Sequence, residues 1–164
     1  MKSIKKGVLI LVIITAYNCT SENPTAFNIK SITINSLSFV SHSGRPWDNN
    51  NGPDVYLKIS DHSGKLLYNN RDQKFSNILK SDFPLEIKLN NKMTIREFDK
   101  PMMLKIMEAD ETRDDLIISI KVSANTIISK SNFKFPDEYV IENNDGTNKI
   151  TLALKWDFEK RIGK

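Results

Sequence analysis

Apolar residues in this chain recur mostly with a period of two. Ile32 and Ile34 alternate with polar neighbours, and then the phase flips so that Leu37 and Phe39 carry the apolar face. A strand that changes face needs an extra residue, so a bulge or bend is expected near Asn35 and Ser36. Val55, Leu57 and Ile59 alternate with Tyr56 and Lys58, and the stretch from Asp61 to Gly64, "DHSG", turns the chain into "KLLYNN". Leu85, Ile87 and Leu89 repeat the pattern, as do Leu104 with Ile106 and Leu116, Ile118, Ile120 and Val122. "YVIE" and "ITLALKWDF" flank Asn144, Asp145 and Gly146, residues suited to a hairpin turn. The cleanest alternation is the last: Ile150, Leu152, Leu154, Trp156 and Phe158.

"DQKFSNILK" has room for one short helical turn, and elsewhere beyond the N-terminus no helical period persists. About eight short strands with regularly spaced turn signals predict an all-β fold, an eight-stranded antiparallel sandwich. The apolar positions named above are its expected core. No internal repeat or second domain interrupts it.

The N-terminus has a different grammar. Three lysines precede an unbroken apolar run from Val8 to Ile14, and the only cysteine of the chain, Cys19, follows a few residues later. Charge, then a short apolar run, then a cleavage region is the pattern of a secretory signal, and the run is too short to span a bilayer comfortably. With Cys19 at the cleavage point the segment resembles a bacterial lipoprotein signal, in which that cysteine is acylated. The box reads "TAYNC", so Asn18 stands where a smaller residue is usual. The expected organisation is a signal peptide over 1–18, a lipidated tether over 19–26 and a sandwich domain over 27–160. Two or more acyl chains anchor stably to a membrane. Thr20 is not the Asp linked with inner-membrane retention in some bacteria, which tilts the expected location toward the outer membrane or the cell surface.

Charge then changes meaning. The whole chain carries 24 Lys plus Arg against 20 Asp plus Glu, but three of the lysines lie in residues 1–18, which leaves 21 against 20. A basic nucleic-acid footprint is therefore not expected. With Cys19 committed to lipid no internal disulfide can form, and stability must come from one core, which a domain of this size supplies by burying roughly two-thirds of its unfolded surface.

Candidate chemistry sits in two acidic loops. Asp48 and Asp54 are six positions apart in a loop that also holds Asn49, Asn50, Asn51 and Gly52. Calcium takes oxygen ligands and tolerates irregular geometry. An EF-hand is excluded, because its glycine and terminal acid positions hold Pro53 and Ile59. In the second loop, "IMEADETRDDLII", Glu108 and Asp110 share a parity at a strand end, and Asp114 and Asp115 close the loop. Each loop alone reads as a solvated turn, since Asn, Asp and Gly are what turns need. Brought to one end of a sandwich, the two can jointly hold one cation.

Those residues resemble the C2 domain family, an eight-stranded sandwich that binds calcium and often phospholipid through loops at one edge. The first loop's pattern is matched by Asp48, Asp54, Tyr56 and Lys58, and the third loop's by Glu108, Asp110 and Asp115. The resemblance spans Phe27 to Phe158 and departs from the family at four places. Glu108 replaces an Asp, Val55 replaces a Pro, the third loop is one residue short, and Ile117–Ile118 lacks the closing Gly. It implies a calcium site built from Asp48, Asp54, Glu108, Asp110 and Asp115.

The function expected is a membrane-anchored binding module that meets a phospholipid headgroup or an envelope protein through these loops, with Arg45 and Trp47 beside the ligand. Trp47 can equally pack against the loop base. Two alternatives stay open: an envelope structural or interaction sandwich in which calcium is absent or merely structural, and a carbohydrate-binding sandwich using Trp47, Tyr56 or Tyr68 as stacking platforms. An enzyme is not expected. His42 and His62 are isolated, neither GxSxG nor HExxH occurs, and Glu108 with Asp110 or Asp48 would make only a crowded carboxylate pair.

Overall fold

The computed structural model describes residues 24–41, 43–47, 52–131, 138–144 and 149–159. Cys19 and the whole 1–18 signal lie outside the described residues, as do Asp48, His42 and the Asp145–Gly146 turn. Among the described residues the strands run β1 Ala26–Ser36, β2 Val55–Ser60, β3 Leu66–Asn69, β4 Leu85–Ile95, β5 Met102–Glu108, β6 Asp115–Val122, β7 Glu138–Asn144 and β8 Lys149–Glu159, with a short α-helix, α1, at Ala124–Lys130. They form two four-stranded antiparallel sheets, β4-β1-β8-β7 and β3-β2-β5-β6. Phe27, Ile29, Ile32, Ile34 and Leu154 from the first sheet and Val55, Leu57, Ile59, Leu104 and Ile106 from the second share one buried cluster. This is the antiparallel sandwich that the alternation predicts.

The alternation is reset by bulges. In β1 the pairing register shifts between Ile29 and Ser31, and again, against β8, between Ile34 and Ser36. The second shift is the one expected near Asn35. The first lets Phe27 and Ile29 share a face with Ile32 and Ile34 despite their opposite parity, because one extra residue turns the strand by one side-chain position. Between β5 and β6 the register slips at Ile106 and Met107, which pair with Ile118 and Leu116 respectively. Ile117 is thereby turned inward to 1% exposure while Leu116 is left 43% exposed. Leu116 is thus a correction to the expected core: a period-two count run through a bulge assigns the wrong side.

Helix α1 is a second correction. Its seven residues are too few to show a helical period, but the Ser123 hydroxyl accepts a hydrogen bond from the Thr126 amide at 3.2 Å, the usual N-cap contact. Ala124 and Ile127 are buried. The "DQKFSNILK" segment holds two 3-10 turns at its edges, Arg71–Gln73 and Lys80–Asp82.

The registers also fix which loops share an end. Ala26 pairs with Glu159 and Phe27 with Ile95, so the N-terminus of β1 lies beside the ends of β4 and β8. At that same end a cleft of about 280 Å³ is lined by Ile95, His62, Leu67, Met102, Val122 and Lys100 among others, which aligns it with the outgoing end of β2 and the start of β5. The start of β2 and the end of β5, with the acidic loops, therefore lie at the opposite end of the sandwich.

The β6 bulge can be tested by stability. Ile117→Ala is expected to cost about 2–5 kcal/mol in urea unfolding, as for a core aliphatic. Leu116→Ala should cost less than about 0.5 kcal/mol. Equal costs would mean that β6 runs without the slip.

Candidate functional site: the acidic loop end

Strand pairing brings the two acidic loops together. Val55 lies opposite Glu108, and Glu108 lies opposite Asp115. The Ala109 amide donates to the Asp54 carbonyl at 2.8 Å, and the Asp54 amide approaches Glu108 Oε1 at 3.4 Å. The main chains of the two loops thus meet at one sandwich end, at Asp54, Glu108 and Asp115, while Asp48 lies outside the described residues.

Like charges held this close need compensation, and the chain supplies it from the segment after β3. The Lys74 ammonium sits 2.7 Å from Asp54 Oδ2, while Asp54 Oδ1 accepts the Asn77 amide at 2.7 Å. Arg71 donates through Nε and Nη2 to both oxygens of Asp114 at 2.9–3.1 Å, and Nη2 also reaches the Asp110 carbonyl at 3.0 Å. Planar guanidinium matched to carboxylate is the strong, directional form of an ion pair. The Tyr56 hydroxyl donates to Asp114 as well, and the Lys58 ammonium stands 3.9 Å away.

Local backbone keeps these cations in place. Phe75 and Val55 exchange both main-chain bonds, at 2.7 and 2.9 Å, and the Ile78 amide donates to the Pro53 carbonyl. At Gly52 even a methyl group would collide with the Ile78 carbonyl, so the approach of the two segments requires glycine there. The residues 71–78 are consequently laced to the base of the first loop.

Asp114 and Asp115 now separate. Asp114 points into the Arg71–Tyr56 cluster with an 18% exposed side chain, while Asp115 is exposed at the start of β6. The hydrogen bonds from Arg71 and then Tyr56 hold the Asp114 carboxyl at about 2. Tyr56 is pushed above its ordinary range, first by burial and then by its bond to Asp114. Glu108 is buried, 1% exposed.

The sequence singles out neither Arg71, Lys74 nor the burial of Tyr56. Alternation puts Tyr56 on the outer face, and there it packs with Met107 and Ala109, the Lys58 ammonium 5.2 Å from its ring centre. The available signal was indirect: two acidic loops brought together require cations. Trp47 donates its indole N–H to the Ser38 carbonyl at 3.1 Å and is half-buried against the core, so it packs at the loop base. Tyr68 is half-buried against the core too. Of the three aromatic candidates for carbohydrate stacking, Tyr56 is fully buried and Trp47 and Tyr68 are half-buried.

Among the described residues no group of three His, Cys, Asp or Glu is placed to hold a metal. The donor chemistry of the loop end, carboxylate and carbonyl oxygen, nevertheless suits a hard cation. As they stand, Asp54 and Asp114 are matched to protein cations instead.

Comparison with solved structures agrees with this architecture. The fold is similar to that of the paired C2 domains of Extended-Synaptotagmin 2, with a TM-score of 0.50 and 15% identity over 93% of this chain. It is also similar to human GIVD cytosolic phospholipase A2, with a TM-score of 0.52 and 10% identity over 84% of this chain. The fold is C2-like. The C2-like chain spans 48% of the synaptotagmin chain and 16% of the phospholipase chain, so each of those is a larger protein with further parts. No family model and no curated protein sequence matches the chain.

The Arg71–Asp114 pair sets a pH dependence. Asp114 titrates at about 2 in the folded chain against 3.8 for an ordinary Asp carboxyl, so its stabilisation is complete above pH 4 and drains away as pH falls toward 2. Arg71→Met should lower the urea midpoint at pH 7, and the difference from the wild type should shrink between pH 4 and 2. A difference that persisted unchanged below pH 2 would assign the stabilisation to packing of the Arg71 stem.

Proposed function

We propose that the chain is a lipid-anchored C2-like binding module whose acidic loop end meets an anionic group, a phospholipid headgroup or a protein partner, on a surface across from the membrane that anchors it. The observation that carries this is the placement of the two ends. Thr25 donates to the Glu159 carbonyl at 2.8 Å, so the chain enters the domain at the end opposite the acidic loops. Cys19, acylated after removal of residues 1–18, precedes Thr25 by six residues, at most roughly 20 Å of chain. The entry end therefore stays close to the anchoring membrane, at the outer membrane or cell surface, and the loops face away. Recruitment from solution is unnecessary for such a protein; contact in trans is what its geometry favours.

Calcium is the cation assigned to the loops, with Asp48, Asp54, Glu108, Asp110 and Asp115 as the residues that would hold it. A bound divalent ion cancels local negative charge and bridges to an anionic ligand. A second reading has an observation in its favour: Lys74 and Arg71 already offset Asp54 and Asp114, so the module can hold its loops and bind an envelope protein without calcium. In both readings the chain binds and does not catalyse.

Proteoliposomes carrying the full lipidated chain decide between them. They are expected to cluster with protein-free anionic vesicles when calcium is added, and Asp54→Asn is expected to abolish the clustering. No clustering at millimolar calcium, with retention of an envelope protein in its absence, would favour the second reading.

A further inference from the structure

We infer that the outer edge of β7 is a docking site for an extended, basic segment of a partner protein, which adds to the sheet β4-β1-β8-β7 as a further strand. β7 lies in the other sheet from the acidic loops, and its recognition needs no metal. Among the described residues β7 pairs with β8 alone, so one side of it is a sheet edge. An edge strand offers unpaired main-chain N–H and C=O groups, and folded chains blunt such edges by shortness, bulges, Pro or Lys.

Three of the four edge strands here are blunted. β3 has four residues and slips register against β2 at Ile59 and Ser60. Along β4 the pairing jumps from Met93 to Lys88 while β1 advances only from Ile29 to Ser31. β6 carries the slip opposite Ile106 and Met107. β7 has none of these devices. Its seven residues, "EYVIENN", contain no Pro, Gly or Lys, and they pair with β8 from Glu138–Lys155 to Asn144–Lys149 without a shift. A straight, evenly paired edge is a template for one more strand.

The side chains of β7 say what that strand must carry. Tyr139 and Ile141 are half-buried against the core, while Glu138, Val140 and Glu142 are exposed on the other face, Val140 at 50%. On the closed side, β8 sets Lys155, Leu154, Ala153, Leu152 and Thr151 opposite Glu138 through Glu142, and Lys155 lies 3.7 Å from Glu138. The open side asks for the same alternation. Apolar residues belong beside Tyr139 and Ile141, a small or β-branched residue beside Val140, and Lys or Arg opposite the two glutamates. A second copy of β7 fits poorly: antiparallel pairing centred on Val140 sets Glu138 opposite Glu142 twice on one face, and like charges directly opposite are destabilising.

A fluorescent peptide with the core Lys-Leu-Thr-Leu-Lys, titrated by anisotropy into the full chain in neutral detergent, tests this. Saturable binding is expected, and Glu142→Lys should weaken it about fivefold, the scale of one cross-strand charge pair reversed. A peptide with Glu in place of the Lys opposite that position should recover the loss. Glu86→Lys, on the outer face of β4, should change nothing. N-methylation of alternate peptide residues should abolish binding on one edge of the peptide and spare it on the other. No saturable binding at millimolar peptide would overturn the proposal, as would equal binding by the wild type and Glu142→Lys. A wild-type chain that sediments as a dimer and excludes the peptide would give the edge to a second copy instead.

Discussion

The hydrogen bond from the Ala109 amide to the Asp54 carbonyl, 2.8 Å long, ties the two acidic loops to one another, and much of the loop end follows from it. The bond extends the β2–β5 ladder one step beyond Val55 and Glu108 and carries both loops to a single end. A main-chain bond of this kind contributes only about 1 kcal/mol net. What it imposes is larger: carboxylates gathered at one place must be matched by positive charge. The chain meets that requirement with Lys74 and Arg71, delivered by a segment that is itself bonded back to Val55 and Pro53.

That arrangement gives the two acidic loops different supports. Asp114, with Arg71 and Tyr56, is a clamp whose low carboxyl pKa reflects strong, directional hydrogen bonds. Asp54 is held by one neutral main-chain donor, the Asn77 amide, and one ammonium, that of Lys74.

Most of the sandwich was legible because a two-sided sheet imposes period two on its sequence, and the last strand shows it most plainly, with Ile150, Leu152, Leu154 and Trp156 all buried. The misreadings have physical causes. Bulges at Lys30 and Ile117 shift the phase, so Leu116 reads as core and is exposed, while Ile117 reads as surface and is buried. Seven residues of helix leave no period to read. At the loop end, Asp54 and Glu108 were legible as partners because their spacing resembles a known loop pattern. Their counter-cations were not, since a pairing between Asp114 and Arg71, 43 positions apart, is set by the tertiary fold and leaves no trace in local spacing.

In the lipid-anchored arrangement we propose, the acidic loops point away from the anchoring membrane. Depth measurement by spin label on reconstituted full-length protein tests it most directly, with one label at Glu111 in the acidic loop and another at Lys65 in the opposite turn. Strands of this length separate the two ends by roughly 20–35 Å, so the label at Glu111 should lie beyond reach of lipid-borne relaxation agents while that at Lys65 lies within it. Equal depths, or Glu111 among the headgroups of the anchoring bilayer, would contradict the account.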